Sequence, residues 1–553
     1  MSDKPATGVK RREFLKVIGA TTAATTMIGC TSEHVEKLIP YFVSPDETVP
    51  GVSTYYSTTC RECSAACGVI AETRDGRAIK LEGNPEHPLN RGALCARGQA
   101  ALQALYNPDR YRGPMIRKNG RLEAVKWDEA LKLFGDKLTA ARANAGNAVF
   151  INRHESGSFP SFLNAWLSSH GMPAALSIDP DADYAAIAAN KQAYGVAWPR
   201  LDFSAAKLII SVGADFLDGW GASVPQQLDF ADARAKLTGA PRFIYVGPRR
   251  SLTGLNADQW INARPGSELA IVHMLGGSGA VSPQQAAQES GVDVATLIAL
   301  KAELDAAKPA MVLAGGDSPH GMELCLAAYN VNSANGAVGT TIKPAEAVNS
   351  FEGMDSPSQL RAVAQRMQAG QVPILMVRNV DAAYSATKSS GFSTAMAKVP
   401  FKVSFSSIPD ETSAMADLVL PDNHSLESWG DAEPVKGTLS LQQPAMDPVF
   451  DTRATGDVLL SISTMPDTAA QAADYRTYFI SRFAGGASAL AQALPKGITS
   501  GSATSPSPRA VPDPIAAAQT TGDYFLMVYP SPALGNGAGA NKPWLQELPD
   551  PVR

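Results

Sequence analysis

The sequence predicts a multidomain α/β protein in which a small, cysteine-bearing β domain precedes two parallel-sheet domains. Three observations predict it. A chain of 553 residues, 45% hydrophobic and 7% aromatic, can fill several cores, which points to three or four domains. Beyond residue 110, short apolar runs alternate with helix-like stretches, the pattern of parallel strands buried on both faces. Before residue 110, four cysteines accompany alternating apolar residues around an Asp75-Gly76 turn, which reads as a hairpin. A net charge of -5 leaves no basic excess to neutralise phosphates, so nucleic acid is not an expected partner. No run approaches the roughly 20 apolar residues needed to cross a bilayer.

Residues 1–29 read as an export signal. Arg11 and Arg12 precede a short apolar run, residues 17–29, and resemble a twin-arginine address, with Lys10 where a small hydroxyl residue is more usual. Met27-Ile28-Gly29-Cys30 is similar to a lipoprotein cleavage box, in which Cys30 is acylated and begins the mature chain. An idle cysteine is the alternative. Each buried methylene contributes about 0.8 kcal/mol, so two or three acyl chains suffice as an anchor. The expectation is a lipid-anchored protein on the periplasmic face of the cytoplasmic membrane.

Cys60, Cys63 and Cys67 are separated by two and three residues, so one loop can turn three thiolates toward a common centre, and Cys95 completes the set. That pattern suits a cubane iron–sulfur cluster. Zinc is a rival, although four-thiolate zinc sites usually combine two CxxC pairs. Disulfides are another rival in an exported chain, although Cys60 and Cys63 are too close for a comfortable one. Cys325 reads as a core residue. The seven histidines form no cluster with metal-ligand spacing, and His87 reads as a support of the cysteine loop.

Residues 60–68, 74–88 and 91–98 together resemble the opening domain of the molybdenum and tungsten bis-pterin enzymes, the molybdopterin oxidoreductase family. The resemblance implies a 4Fe-4S cluster on Cys60, Cys63, Cys67 and Cys95. It also implies that Arg97, where lysine is commoner, lies between the cluster and the pterin; a solvated surface arginine is the alternative.

The body carries strand-like runs at 148–151, 208–212, 242–246, 310–314 and 373–377. Ligands of such domains sit beyond the carboxyl ends of the strands. Gly213 and Asp215 follow one strand; Pro248, Arg249, Arg250 and Ser251 follow another, where two arginines offer forked donors suited to phosphate. Residues 246–258, ending at Asp258, and 262–270, containing Arg264, Gly266 and Glu268, are similar to the family stretch that holds a guanine dinucleotide half of the cofactor. A second block resembles the family at 407–421, and the resemblance runs from about residue 53 to 460. Strand and helix capping, in a fold that has lost its ligand, is the alternative.

Several positions depart from the family pattern. No cysteine lies between Cys95 and Cys325, so no thiolate can ligate molybdenum in the usual place. Asp179, Asp181 or Asp183 could offer a carboxylate, but such a cluster also suits a turn or helix cap. Gly213-Ala214-Asp215-Phe216 replaces the glycine-asparagine-proline turn, and residues 429–437 replace a glycine-rich segment. Molybdenum is therefore expected to be absent, with molybdopterin guanine dinucleotide left open.

The N-terminal motifs and the family resemblance together imply this division: residues 1–29 signal, 30–52 linker, 53–108 iron–sulfur domain, 109–170 with 345–482 a split α/β domain, and 171–344 the pterin-dinucleotide-type α/β domain. A flexible linker over 483–520 would then lead into 521–553, the start of a C-terminal barrel-like domain opened by a strand at 524–529. About a hundred further residues would complete that fold, which suggests a fragment or split subunit. With its export signal, residues 60–63 and residues 541–551, the chain most resembles the branch of the family that serves quinol-oxidising respiratory assemblies, alternative complex III. That branch implies as partners a quinol-binding membrane subunit, a ferredoxin-like iron–sulfur domain and a cytochrome c. A catalytic molybdenum oxidoreductase of the polysulfide or thiosulfate reductase type, and a non-redox structural subunit, are the other readings.

Overall fold

The computed structural model describes residues 49–277, 281–315, 320–463, 472–500, 524–550 and 552. The expected signal, Cys30 and nearly all of the first linker lie outside the described residues, as do residues 501–523.

The strands Thr54–Thr59, Gly68–Arg74 and Arg77–Gly83 form an antiparallel meander. Asp75 and Gly76 turn its second corner with φ of +48° and +72°, the left-handed pair that a two-residue hairpin demands. The short helices Ala96–Gln99 and Ala101–Leu105 follow, and Leu102 and Leu105 are buried against Ala71, Ala78 and Leu81.

The chain then enters a seven-stranded sheet with the spatial order Arg121–Ala124, Met115–Lys118, Leu418–Val419, Phe401–Ser404, Ile374–Arg378, Val149–Arg153 and Leu176–Ile178. The last five are parallel, and the first two form a hairpin joined antiparallel to them. Successive residues of a strand point to opposite faces, and both faces here are covered. Ile374 and Met376 join a core with Phe134, Phe150, Trp166 and Phe405, whereas Leu375 and Val377 join another with Ile151 and Phe392. Double burial explains why residues 374–377 are apolar throughout rather than alternating. The helix Trp127–Ala141 covers one face with Trp127, Ala130, Phe134 and Leu138, spaced three and four apart, while Asp128 and Glu129 sit at its positive N-terminal end.

Between Ile178 and Ile374 the chain builds a second sheet, Gln259–Ile261, Arg242–Val246, Leu208–Val212 and Ala310–Ala314, all parallel. Leu208, Ile210 and Val212 feed one core and Ile209 the other. The fold is thus α/β, with a small N-terminal β domain and two parallel-sheet domains.

Arg110 and Glu427 tie the end of the cysteine domain to the far part of the split sheet domain. Two hydrogen bonds of 3.0 and 2.8 Å join them, and both side chains are wholly buried. Glu427 also accepts the backbone N–H groups of His424 at 2.7 Å and Val449 at 2.9 Å.

Two expectations for the C-terminal region change. Residues 486–500, expected within a flexible linker, carry the helix Gly486–Ala493 and the strand Ile498–Ser500, which pairs with Thr438–Gln442. Leu490 anchors this piece against Leu441 and Phe479, a contact that the glycine- and alanine-rich composition conceals. Residues 524–529, expected as a strand, pair with no strand among the described residues, and Tyr524, Leu526 and Val528 are exposed. The helix Pro543–Glu547 follows, with Leu545 buried.

Candidate functional site: a four-cysteine centre beside an acidic cavity

The loop 60–67 joins the first two strands of the meander. The N–H of Cys60 donates to the carbonyl of Cys67 at 2.8 Å, closing the loop, and Ala66 adopts φ +52° to make the bend. Asn90 brings the second segment alongside. It accepts the Gly68 N–H at 2.9 Å and donates to the carbonyls of Gly68 and Ala93, which carries the chain round to Cys95 at the start of Ala96–Gln99. Gly68 has no room for a side chain, since a Cβ there would lie 2.4 Å from the His87 ring. Cys60, Cys63, Cys67 and Cys95 therefore gather in one pocket with Leu89 and, from the helix Ser223–Arg234, Val224 and Leu228.

None of the four is joined in a disulfide. Burial pushes the pKa values of Cys60 and Cys67 well up, and the neighbouring cysteines push the same way; for Cys63 burial dominates, opposed by Arg97 and Arg153. Crowded thiols that resist ionisation, as Cys60, Cys63 and Cys67 do, fit a centre whose irons supply the missing positive charge. Among the described residues no three His, Cys, Asp or Glu side chains are arranged to hold a single metal ion.

Arg97 stands beside this centre. Burial opposes its charge, but Cys63, Asp181 and Glu62 outweigh that and hold it protonated; it bonds Asp181 at 2.8 Å and the Glu62 carbonyl at 3.1 Å. It is 16% exposed in its side chain, so it is not a solvated surface arginine.

A cavity of about 580 Å³ opens next to the loop, bounded by Glu62, Cys63, Arg153, Asp179, Asp181 and Lys542 among others. Its walls carry eight carboxylates, Glu62, Glu155, Asp179, Asp181, Asp381, Asp410, Glu411 and Asp422, against Arg61, Arg153, Arg378 and Lys542. These cations are engaged internally. Arg378 binds Glu155 and Asp422, Arg153 lies 3.9 Å from Asp179 and bonds the Glu62 carbonyl, and Arg61 reaches Gln442 at 2.7 Å. Burial works to raise the pKa of Glu155 and of Asp179, yet Arg378 and Arg61 in one case, and Arg153 and Ser64 in the other, bring both below the usual range. Asp183 caps the helix Tyr184–Tyr194 and accepts Trp220 Nε1–H at 3.0 Å. Asp179, Asp181 and Asp183 thus serve as ion-pair partners and caps.

His424 lines the same cavity, and burial drives its pKa to about 4; His87 reaches about 4 for the same first reason. Their ordinary value is 6.5, so the unfolded chain takes up protons that the fold refuses as pH falls from 6.5 toward 4. Stability is complete above 6.5 and should drop through that window by about 3 kcal/mol for each group. The denaturant midpoint is expected to fall between pH 7 and pH 5, less steeply in His424→Gln; an unchanged slope in that variant would refute the assignment.

At the second sheet, Gly213 turns with φ +67° and places Asp215 against the next loop. Asp215 accepts the Tyr245 hydroxyl at 2.8 Å, pairs with Arg249 and accepts the Ser251 hydroxyl, while burial raises its pKa. Ser251 also caps Leu252–Leu255. Pro248 is half-buried, and Arg250 is exposed over the Trp260 ring. Asp258 is held by both arms of Arg234 at 2.9 and 2.6 Å, and Arg264 donates to the Gln288 carbonyl. Gly266, φ +85°, precedes the helix Glu268–Gly276, where Glu268 Oε2 is buried without a hydrogen-bond partner and burial raises the carboxyl pKa.

This arrangement fits a pyrophosphate poorly. Arg249 and Ser251, two of the three donors on this loop, are already taken by a carboxylate of the chain itself, which leaves the exposed Arg250, and the cavity beside the cysteines adds further negative charge. Glu268 is the exception, because its free acceptor would suit the N–H edge of a purine. Sequence reasoning missed Asn90, Glu62, Arg153 and Lys542, whose roles arise only from distant contacts.

Residues 110–465 match the molybdopterin oxidoreductase family and residues 53–107 match the molybdopterin oxidoreductase Fe4S4 domain, so the chain belongs to the molybdopterin oxidoreductase family. It is similar to the menaquinone reductase, molybdopterin-binding-like subunit, of Nitratidesulfovibrio vulgaris, with 28% identity over 82% of this chain and 71% of that protein. The arsenate respiratory reductase molybdopterin-containing subunit of Shewanella sp. is 23% identical over 80% of this chain and 64% of its own length. The thiosulfate reductase molybdopterin-containing subunit of Salmonella typhimurium is 24% identical over 48% and 34%. Acetylene hydratase from Pelobacter acetylenicus shares the fold, with a TM-score of 0.60 and 14% identity over 81% of this chain and 74% of that one.

Proposed function

We propose that the chain is an exported, lipid-anchored iron–sulfur subunit of a respiratory complex of the alternative complex III kind, which passes electrons from membrane quinol toward a cytochrome c or an oxidase. Its molybdopterin-type body serves as scaffold. The partners in this reading are a quinol-binding membrane subunit, a ferredoxin-like iron–sulfur domain and a cytochrome c. The observation that carries it is Asp215, which occupies the donors of Arg249 and Ser251. The likeness to a menaquinone reductase subunit described as molybdopterin-binding-like supports the quinone connection.

A bound cluster supplies one-electron transfer. The chain's own residues hold and shield it: the loop 60–67 and Asn90 fix the thiols, and Leu89, Val224 and Leu228 keep one side apolar. Glu268 favours the second reading, a catalytic molybdenum oxidoreductase, because a buried acceptor without a partner suits a retained guanine.

The test is elemental analysis of the protein purified from membranes, with intact mass measured on the same sample. About four irons per chain without molybdenum or tungsten is the expected result, together with a mass that begins at an acylated Cys30. Near-stoichiometric molybdenum would overturn the scaffold role, and an unacylated mature chain would overturn the anchor.

A further inference from the structure

Glu62 lies inside the cysteine loop, between Cys60 and Cys63, and its carboxylate pairs with the ammonium of Lys542. Lys542 is only 6% exposed, an unusual state for a lysine and one that a buried chain tolerates only with a partner. The pair links residues 480 apart in the sequence. It is one of several ties between the tail and the cysteine domain. The N–H of Asn536 donates to Asp181 at 2.6 Å, on the carboxylate that also binds Arg97. Asn107 donates to the Asn541 carbonyl at 3.0 Å, the Trp544 N–H donates to Gln103 at 2.8 Å, and Leu545 is 2% exposed. Asn536, Gly537, Ala538, Ala540, Asn541 and Lys542 thereby line the acidic cavity that Cys63 also lines.

We infer that Lys542 is a positioning residue for the four-cysteine centre: it straps the tail across the loop 60–67, neutralises the Glu62 charge beside the cluster, and closes the cavity side of the cluster to water and oxidants. A charge pair holds the tail more firmly than a neutral contact would, because opening it strands the Glu62 carboxylate without its partner in a poorly hydrated place. The inference needs only that the four cysteines hold a cluster, as the Fe4S4 domain match implies. It is independent of whether electrons come from quinol, since that reading stands on metal content and this one on the cluster's exposure.

The test uses the full chain with its cluster. In Lys542→Met, iron per chain should stay at the wild-type level, while bleaching of the visible absorption in air accelerates on the order of tenfold or more. The midpoint potential, followed by redox titration with paramagnetic resonance, should fall because Glu62 then presents an uncompensated negative charge. Lys542→Arg should restore both. Leu545→Asp unseats the same tail without touching the loop, so it should reproduce the faster bleaching while the charge pair remains available; it decides the matter if Lys542→Met fails to retain iron. Wild-type bleaching in either iron-replete variant overturns the inference.

Discussion

Cys67→Ala is expected to give a colourless protein whose iron falls from about four per chain to below one. Cys67 is the most buried of the four ligands at 5% exposure, and its carbonyl closes the loop on Cys60. The neighbouring Gly68 is pressed against His87, so the backbone has no freedom to bring a substitute ligand into place. Cys325→Ser is the control. Its thiol donates to the Ala314 carbonyl at 3.1 Å within the second sheet domain, and iron should remain complete there. Full iron in Cys67→Ala, measured by elemental analysis and visible absorption, would mean that another residue completes the set.

Arg110→Met should destabilise the fold by about 3–5 kcal/mol, the usual consequence of stranding one member of a buried ion pair. Both side chains are inaccessible, and Arg110 also donates to the Leu105 carbonyl at 2.8 Å. The substitution leaves Glu427 charged with only two backbone donors. Exchange of both residues to methionine removes the stranded charge, so the double variant should be more stable than the sum of the two single effects. It should not regain the wild-type value, because the N–H groups of His424 and Val449 lose their acceptor. Denaturant midpoints at constant pH provide the comparison, and strictly additive single effects would show that the two groups do not act as a unit.

The parts of the fold that were legible in the sequence are those fixed locally. The strand runs stand out because burial on both faces excludes polar side chains over five consecutive residues, as in Ala310–Ala314. The hairpin at Asp75-Gly76 needed only its two turn residues. The cysteine loop was legible because three of its cysteines, Cys60, Cys63 and Cys67, fall within eight residues, and Arg97 because it stands two positions after Cys95. What stayed hidden depends on residues far apart in the chain. Arg249 and Ser251 read as phosphate donors from their own neighbourhood, but the anion they meet is Asp215, 34 residues from Arg249. Lys542 meets Glu62 only through folding of the whole molecule. Leu490 looked like one apolar residue in a loose alanine-rich stretch, until Leu441 and Phe479 gave it a place to pack.

The interruption of the seven-stranded sheet sets a timetable for synthesis. Val149–Arg153 and Ile374–Arg378 lie side by side, yet about two hundred residues, most of them in the second sheet domain, separate the end of Leu176–Ile178 from the start of Ile374–Arg378. A ribosome adding roughly 5–20 residues per second needs some 10–40 s to cover that interval. Throughout it the nascent edge of Val149–Arg153 has no neighbour on its far side, and Phe150 and Ile151 await the residues that will cover them. The inserted domain draws its four strands from one continuous stretch and can settle first, so the outer sheet is built around a finished guest rather than beside it.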